Sequence, residues 1–132
     1  MTERLRVFLV DDHDVARAGA RHYLEDRFDI VGEADNAINA AEMISNRKPD
    51  LVLLDISLPE MDGTEVLRRL RANQATSSLP VIALTAHAMS GDREKYLRLG
   101  FNGYVSKPIV DEADLFTAIE AAFTSSSNPQ AS

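Results

Sequence analysis

At four places in the chain a chemically active side chain directly follows a short apolar run. The stretch "VFLVDDHD" ends in Asp11 and Asp12 with Asp14 two positions on, and "DLVLLD" ends in Asp55. "VIALT" ends in Thr85, and "GYVSKP" ends in Ser106, Lys107 and Pro108. Adjacent carboxylates after an apolar segment repel each other and lose solvation, so Asp11 and Asp12 should retain a proton unless something positive is held there. Clustered carboxylates suit a hard divalent cation, and Mg²⁺ takes one or two of them together with waters and a phosphate oxygen. Asp55 needs no general base, because an ordinary carboxylate is ionised at neutral pH, and aspartyl-phosphate formation is an established use of such a group. Phosphoryl transfer spreads charge over three equatorial oxygens. Mg²⁺ suits one of them, Lys107 a second, and the Thr85 hydroxyl with a backbone N–H the third. One Asp after a strand is ordinary turn chemistry. Three carboxylates, a hydroxyl and an ammonium at a common rim are not.

For these residues to meet, four segments must end at the same edge. Short apolar runs alternate with helical patterns five times, the signature of a parallel α/β sheet. Strands are predicted at 5–10, 30–34, 51–54, 81–84 and 103–105, and the first, third and fourth are nearly continuous apolar runs, as in strands covered on both faces. Between them, Ala16, Gly19, Ala20 and Tyr23 recur at helical spacing, as do Ala37, Ala40, Ala41 and Ile44. Val66, Leu67 and Leu70 make a third stripe opposite Arg68 and Arg71, and "RRLR" at 68–71 reads as a solvated helix face. Leu115, Ala118, Ile119 and Ala122 make the fifth. The fourth, 87–100, offers only Met89, Tyr96 and Leu97 before Gly100 caps it, so it should be the most weakly anchored helix. Right-handed crossovers and five units exclude a closed (β/α)₈ barrel and leave an open doubly wound sheet, whose binding site lies beyond the carboxyl ends of the strands.

With these residues in this order, the chain resembles a receiver domain of the bacterial response regulators, the phosphoacceptors of two-component signalling. The resemblance covers residues 5 to about 123 and rests on "LVDDHD", "DLVLLDISLPEMDG", "VIALTAHA" and "GYVSKPI". It implies a flavodoxin-like fold, strand order 2-1-3-4-5, and phosphorylation of Asp55. It implies that Asp12 ligates Mg²⁺ directly, that Asp11 acts mostly through a bound water, and that the Ser57 carbonyl completes the protein's share. Thr85 and Lys107 would sense the phosphoryl group, with Tyr104 as the switch aromatic. Ala86 would leave the group accessible, and the Ser57 and His87 side chains would tune its hydrolysis. Lys107–Pro108 matches the family's cis peptide. Gly63 fits a tight start to the third helix, where a Cβ would be costly. His13 and Asp14 are read as helix-start residues outside the chemistry, and His22 as a helix-surface residue.

The implied partners are a sensor histidine kinase or phosphotransfer protein and a downstream protein target. The face of helix four, strand five and helix five would be the partner surface, or the contact in a homodimer. A net charge of −7 argues against sequence-independent nucleic-acid binding. No apolar run approaches the length of a membrane span, and the absence of cysteine fits a reducing cytoplasm. Within 132 residues one domain is expected, at 1–123, with the polar 124–132 as a disordered tail. The start and the polar ending favour a stand-alone receiver over one belonging to a hybrid histidine kinase or a DNA-binding regulator. A haloacid-dehalogenase-like phosphatase is the alternative from another class. It also combines an Asp nucleophile, Thr/Ser, Lys and Mg²⁺, but its second Asp is replaced here by Ser57 and its acidic pair comes last in the chain. A flavodoxin would need a Ser/Thr/Gly-rich phosphate loop where "DDHDVARAG" stands.

Overall fold

A computed structural model of the chain describes residues 4–58, 62–85, 90–107 and 112–126. Five strands and five helices alternate: β1 (Arg6–Val10), α1 (Asp14–Leu24), β2 (Asp29–Ala34), α2 (Ala40–Arg47), β3 (Leu51–Asp55), α3 (Gly63–Ala72), β4 (Val81–Thr85), α4 (Asp92–Leu99), β5 (Gly103–Ser106) and α5 (Glu112–Ser126). The strands form one sheet in the order β2-β1-β3-β4-β5, and every pairing is parallel. The expected fold and strand order are therefore the observed ones.

Strand alternation divides the core into two layers. Phe8, Val10, Val52, Leu54, Val81 and Ala83 pack against Ala40 and Ile44 of α2 and Val66, Leu67 and Leu70 of α3. On the other face Val7, Leu9, Leu51, Leu53, Ile82 and Leu84 meet Ala20 and Leu24 of α1 and Leu115, Ile119 and Ala122 of α5. Both faces of β1, β3 and β4 are thus dry, which is why their sequences read as unbroken apolar runs. The predicted stripes of α3 and α5 are packed ones, with adjustments in the first two helices: α1 buries Ala20 and Leu24 while Ala16 and Gly19 stay outside the core, and α2 begins at Ala40, so buried Ala37 belongs to the turn before it. α4 contains no buried residue, and its exposed Leu97 and Leu99 match the expectation of weak anchoring. It ends at Gly100, whose φ of 118° lies in the left-handed region that suits glycine. α5 runs to Ser126, so positions 124–126 of the expected 124–132 tail belong to the helix, and 127–132 lie outside the described residues.

Arg71 departs from the solvated reading of "RRLR". Arg68 and Arg69 are exposed, whereas Arg71 is half-buried. Its guanidinium donates to the carbonyls of Leu79 at 2.7 Å and Gly100 at 2.9 Å, and to Asn102 Oδ1 at 2.8 Å. Asn102 Oδ1 also accepts the Val81 N–H at 3.0 Å. The side chain therefore ties the end of α3 to the start of β4 and to the end of α4. Arg71→Met keeps the apolar stem and removes these donors, and should cost about 2–3 kcal/mol in urea denaturation. Faster amide exchange near Gly100 should accompany it. An unchanged unfolding midpoint would show that the knot is dispensable.

Candidate functional site

The strand register brings the polar strand ends together. Val10 is level with Leu54 across β1 and β3, so Asp11 emerges beside Asp55. Asp55 is level with Leu84 and Thr85 with Ser106, which places Thr85 and Lys107 at the same edge. The backbone continues the pairing past the strands, with the Asp11 N–H donating to Ala34 O at 3.0 Å and the Lys107 N–H to Thr85 O at 2.7 Å. Asp11, Asp55 and Thr85 are buried, and Ser57 is exposed. Asp11 and Asp55 share one local device: each accepts, on Oδ1, the N–H two residues on, from His13 at 2.9 Å and Ser57 at 3.0 Å. Such turns fix a carboxylate on its own backbone.

Lys107 joins the two acids. Its Nζ lies 2.8 Å from Asp11 Oδ2 and 3.2 Å from Asp55 Oδ2. Burial alone would raise the pKa of Asp11, but the Lys107 hydrogen bond, the His13 N–H and the Lys107 charge outweigh it and bring it below the ordinary value. Asp55 moves the other way. Burial, reinforced by the charge of Asp11, exceeds what the Ser57 N–H and Lys107 return, so its pKa is raised. Burial would lower the Lys107 pKa, yet Asp11 and Asp55 raise it. Of Asp11 and Asp55, the acid with increased proton affinity is therefore Asp55, whereas the sequence pointed to the adjacent pair; Lys107 and the His13 N–H together outweigh the burial of Asp11.

A carboxyl whose folded pKa exceeds its unfolded value contributes stability below the unfolded pKa and loses it as pH rises through the folded one. Ionised Asp55 is then a liability at neutral pH. Asp55→Asn, measured in chelator, should raise stability by about 1 kcal/mol, as removal of strained site residues commonly does. The gain should shrink as pH falls into the carboxylate range. A lower midpoint for the variant at neutral pH contradicts this.

The expected residues Asp11, Asp12, Asp55, Thr85 and Lys107 all lie at this edge. Tyr104 sits back from this edge on β5, level with Ala83, half-buried. Its ring stacks on Tyr96 at 5.8 Å and 14°, and Tyr96 meets Phe101 edge-on. The Tyr104 hydroxyl is buried without a hydrogen-bond partner among the described residues. Ala86 and His87, and the Lys107–Pro108 bond through Pro108, fall outside the described residues. Asp14 starts α1 and pairs with Arg17, as a helix-start residue should.

Two residues that the sequence left outside the chemistry reach this edge. His13 does start α1, but its Nδ1 lies 3.3 Å from Asp11 Oδ1, 3.1 Å from Asp12 Oδ1 and 3.8 Å from Asp55 Oδ2. Arg17 donates through Nη1 to the Asp11 carbonyl at 2.6 Å and through Nε to Glu33 Oε1 at 2.9 Å, bracing the turn that carries the acids. Glu33 comes from β2, so only the fold reveals that pairing.

Asp11, Asp12, His13 and Asp55 each offer a donor atom within 4.8 Å of the others. Asp12 Oδ1 is buried and accepts no hydrogen bond among the described residues, although His13 Nδ1 is close by. Three carboxylates with one oxygen unsatisfied fit a hard divalent cation. Comparison with known proteins agrees with the geometry. The profile of the response regulator receiver domain matches residues 7–120. The 14.6 kDa protein of the sodA1 3' region of Leptolyngbya boryana is 39% identical over 117 residues, 89% of this chain and 88% of that protein. Response regulator Rre1 of Synechocystis sp. is 38% identical over 109 residues, 82% of this chain; the match spans 47% of Rre1. Among solved structures, a LuxR-family two-component response regulator from Aurantimonas sp. superposes with a TM-score of 0.81 at 35% identity, covering 92% of this chain and 86% of that one.

Proposed function

Because this chain belongs to the family of response regulator receiver domains, we propose that Asp55 accepts a phosphoryl group from the phosphohistidine of a sensor kinase or phosphotransfer protein. The observation that carries this reading is the pairing of a buried carboxylate at the end of β3 with Lys107 and two further carboxylates. The P–N bond of the donor breaks as an Asp55 oxygen bonds to phosphorus, giving an acyl phosphate and a neutral imidazole. The Ser57 N–H holds Asp55 Oδ1, which leaves Oδ2 as the attacking atom. Lys107, already 3.2 Å from that oxygen, follows the incoming charge and neutralises a phosphoryl oxygen. Asp11, Asp12, Asp55 and the Ser57 carbonyl would hold Mg²⁺, which when bound neutralises charge on the phosphoryl oxygens. Water later attacks phosphorus and releases Asp55 and inorganic phosphate, so the chemistry is self-limited rather than repeated turnover on free substrates.

Thr85 at the end of β4 and Tyr104 on β5 carry the response. A hydroxyl drawn toward phosphate frees space near Tyr104, whose ring stack on Tyr96 links it to thinly anchored α4. The face of α4, β5 and α5 then favours a protein partner or a second copy by a shift of populations. No helix among the described residues is long and apolar enough to cross a membrane, which suits the proposed cytoplasmic location.

Phosphotransfer from a panel of phosphorylated histidine kinases tests the assignment. Wild type should gain one phosphoryl group in the presence of Mg²⁺, and Asp55→Asn none. Equal labelling of that variant would overturn the site. Repeated turnover on small phosphate esters would favour the phosphatase reading instead.

A further inference from the structure

We propose that His13 is a nitrogen donor to the cation site, so that the site takes first-row transition divalent ions more tightly than Mg²⁺. This rests on the cation site described above and extends it to a residue outside the expected ligand set. Three observations carry it. The first is placement: the His13 N–H is held by Asp11 Oδ1, and the ring makes no cap bond to α1, so the imidazole is not engaged in starting the helix. The second is spacing. Neighbouring donors on an octahedral ion with bonds near 2.1 Å lie about 3.0 Å apart. His13 Nδ1 lies 3.1 Å from Asp12 Oδ1 and 3.3 Å from Asp11 Oδ1, so the donor spacing suits a shared ion. The third is the unsatisfied Asp12 Oδ1, a buried acceptor next to that nitrogen.

The choice of ion follows from donor chemistry. Mg²⁺ gives up its waters reluctantly and prefers oxygen. Imidazole suits the later first-row ions, whose affinities rise along the series from Mn²⁺ to Cu²⁺. One nitrogen added to three carboxylates raises affinity for those ions and leaves Mg²⁺ almost unaffected. At Asp11, Lys107 does not compete for this position, because it bonds the other oxygen; at Asp55 it shares Oδ2, which lies 3.8 Å from His13 Nδ1, farther than Asp11 Oδ1 or Asp12 Oδ1.

Co²⁺ alone is the probe, bound to the full chain in its wild-type, His13→Ala and Asp12→Asn forms. The proton NMR spectrum of the Co²⁺-loaded wild type should contain a strongly shifted, solvent-exchangeable imidazole N–H signal, absent in His13→Ala. The Co²⁺ dissociation constant should rise about tenfold in His13→Ala while that of Mg²⁺, by competition, changes less than about twofold. Absence of the signal in the wild type at stoichiometric Co²⁺, or its persistence in His13→Ala, overturns the proposal while leaving the carboxylate site intact. Full Co²⁺ binding by Asp12→Asn would instead overturn the carboxylate site, and the role of His13 with it. Because the imidazole is exposed, His13→Ala removes no packing, and the carboxylate turns remain as the folded control.

Discussion

Lys107→Met is expected to destabilise the protein in chelator by about 3 kcal/mol at neutral pH, and Asp55→Asn in the same chain to recover most of that loss. The lysine is the cation shared by two buried acids, at 2.8 Å from Asp11 and 3.2 Å from Asp55. Its replacement by an apolar side chain of similar length keeps the packing and leaves two neighbouring carboxylates without a counter-charge. Breaking a buried pair from one side is more damaging than removing both sides, because the remaining charge keeps its desolvation penalty. Here the protein has a partial escape. Asp55 already has a raised pKa, so it is the acid that takes up a proton when Lys107 is absent. The loss should therefore grow with pH through and above the carboxylate range and nearly vanish below it. Asp11 fixes the sign from the other side: its lowered pKa contributes stability above the unfolded value and loses it as pH falls, and Lys107 supplies much of that contribution. Denaturation of the two single variants and the double variant across pH measures the coupling. Identical destabilisation by Lys107→Met with and without the Asp55→Asn change would show that the acids do not share the lysine.

How far this arrangement is legible in the sequence depends on the range of the interactions. The strand ends were readable because a buried strand must be apolar on both faces, so an abrupt Asp, Thr or Lys marks where it leaves the core. Parallel order and register then carry Asp11, Asp55, Thr85 and Lys107 to one edge without further information. The helical stripes were equally local, as in Val66, Leu67 and Leu70. Arg71 was not legible, because its partners are carbonyls of distant turns and a carbonyl has no sequence signature. Arg17 pairs with Glu33 through the β1–β2 contact for the same reason. His13 was read as a helix-start residue because it precedes the first helix and imidazole is a poor partner for Mg²⁺. Its ring direction is set by the turn through Asp11, a feature of backbone conformation rather than residue type. The direction of proton affinity was missed for another reason: it depends on how deeply each acid is buried and which oxygens Lys107 and the turn N–H groups reach, and register alone fixes neither.

Gly63→Ala should have the second large effect, a loss of about 3 kcal/mol together with slower phosphoryl acceptance. Its conformation is not the obstacle, as Gly63 is not among the glycines with positive φ. The obstacle is proximity. A Cβ at this position would lie 2.5 Å from the Asp55 carbonyl oxygen and 2.8 Å from Ile56 Cα, both backbone atoms that no rotamer change can move. The Gly63 N–H is also held by the Ile56 carbonyl at 2.8 Å, while Asp62 caps the helix through the Thr64 N–H. Relief requires either that α3 lift from the sheet, exposing Val66, Leu67 and Leu70, or that the end of β3 shift. The second route moves Asp55 itself, and a displacement near 1 Å of a reacting group can slow a reaction by about 100-fold. Gly19→Ala is the contrasting substitution. Nothing lies within 4 Å of its Cβ, and the residue is inside α1. It should therefore gain about 0.5–1 kcal/mol from helix propensity. Opposite signs for the two in urea denaturation, with slower phosphoryl acceptance only for Gly63→Ala, would tie the start of α3 to the position of the phosphoacceptor. A Gly63→Ala protein as stable as wild type would mean that α3 and β3 are not in the contact described.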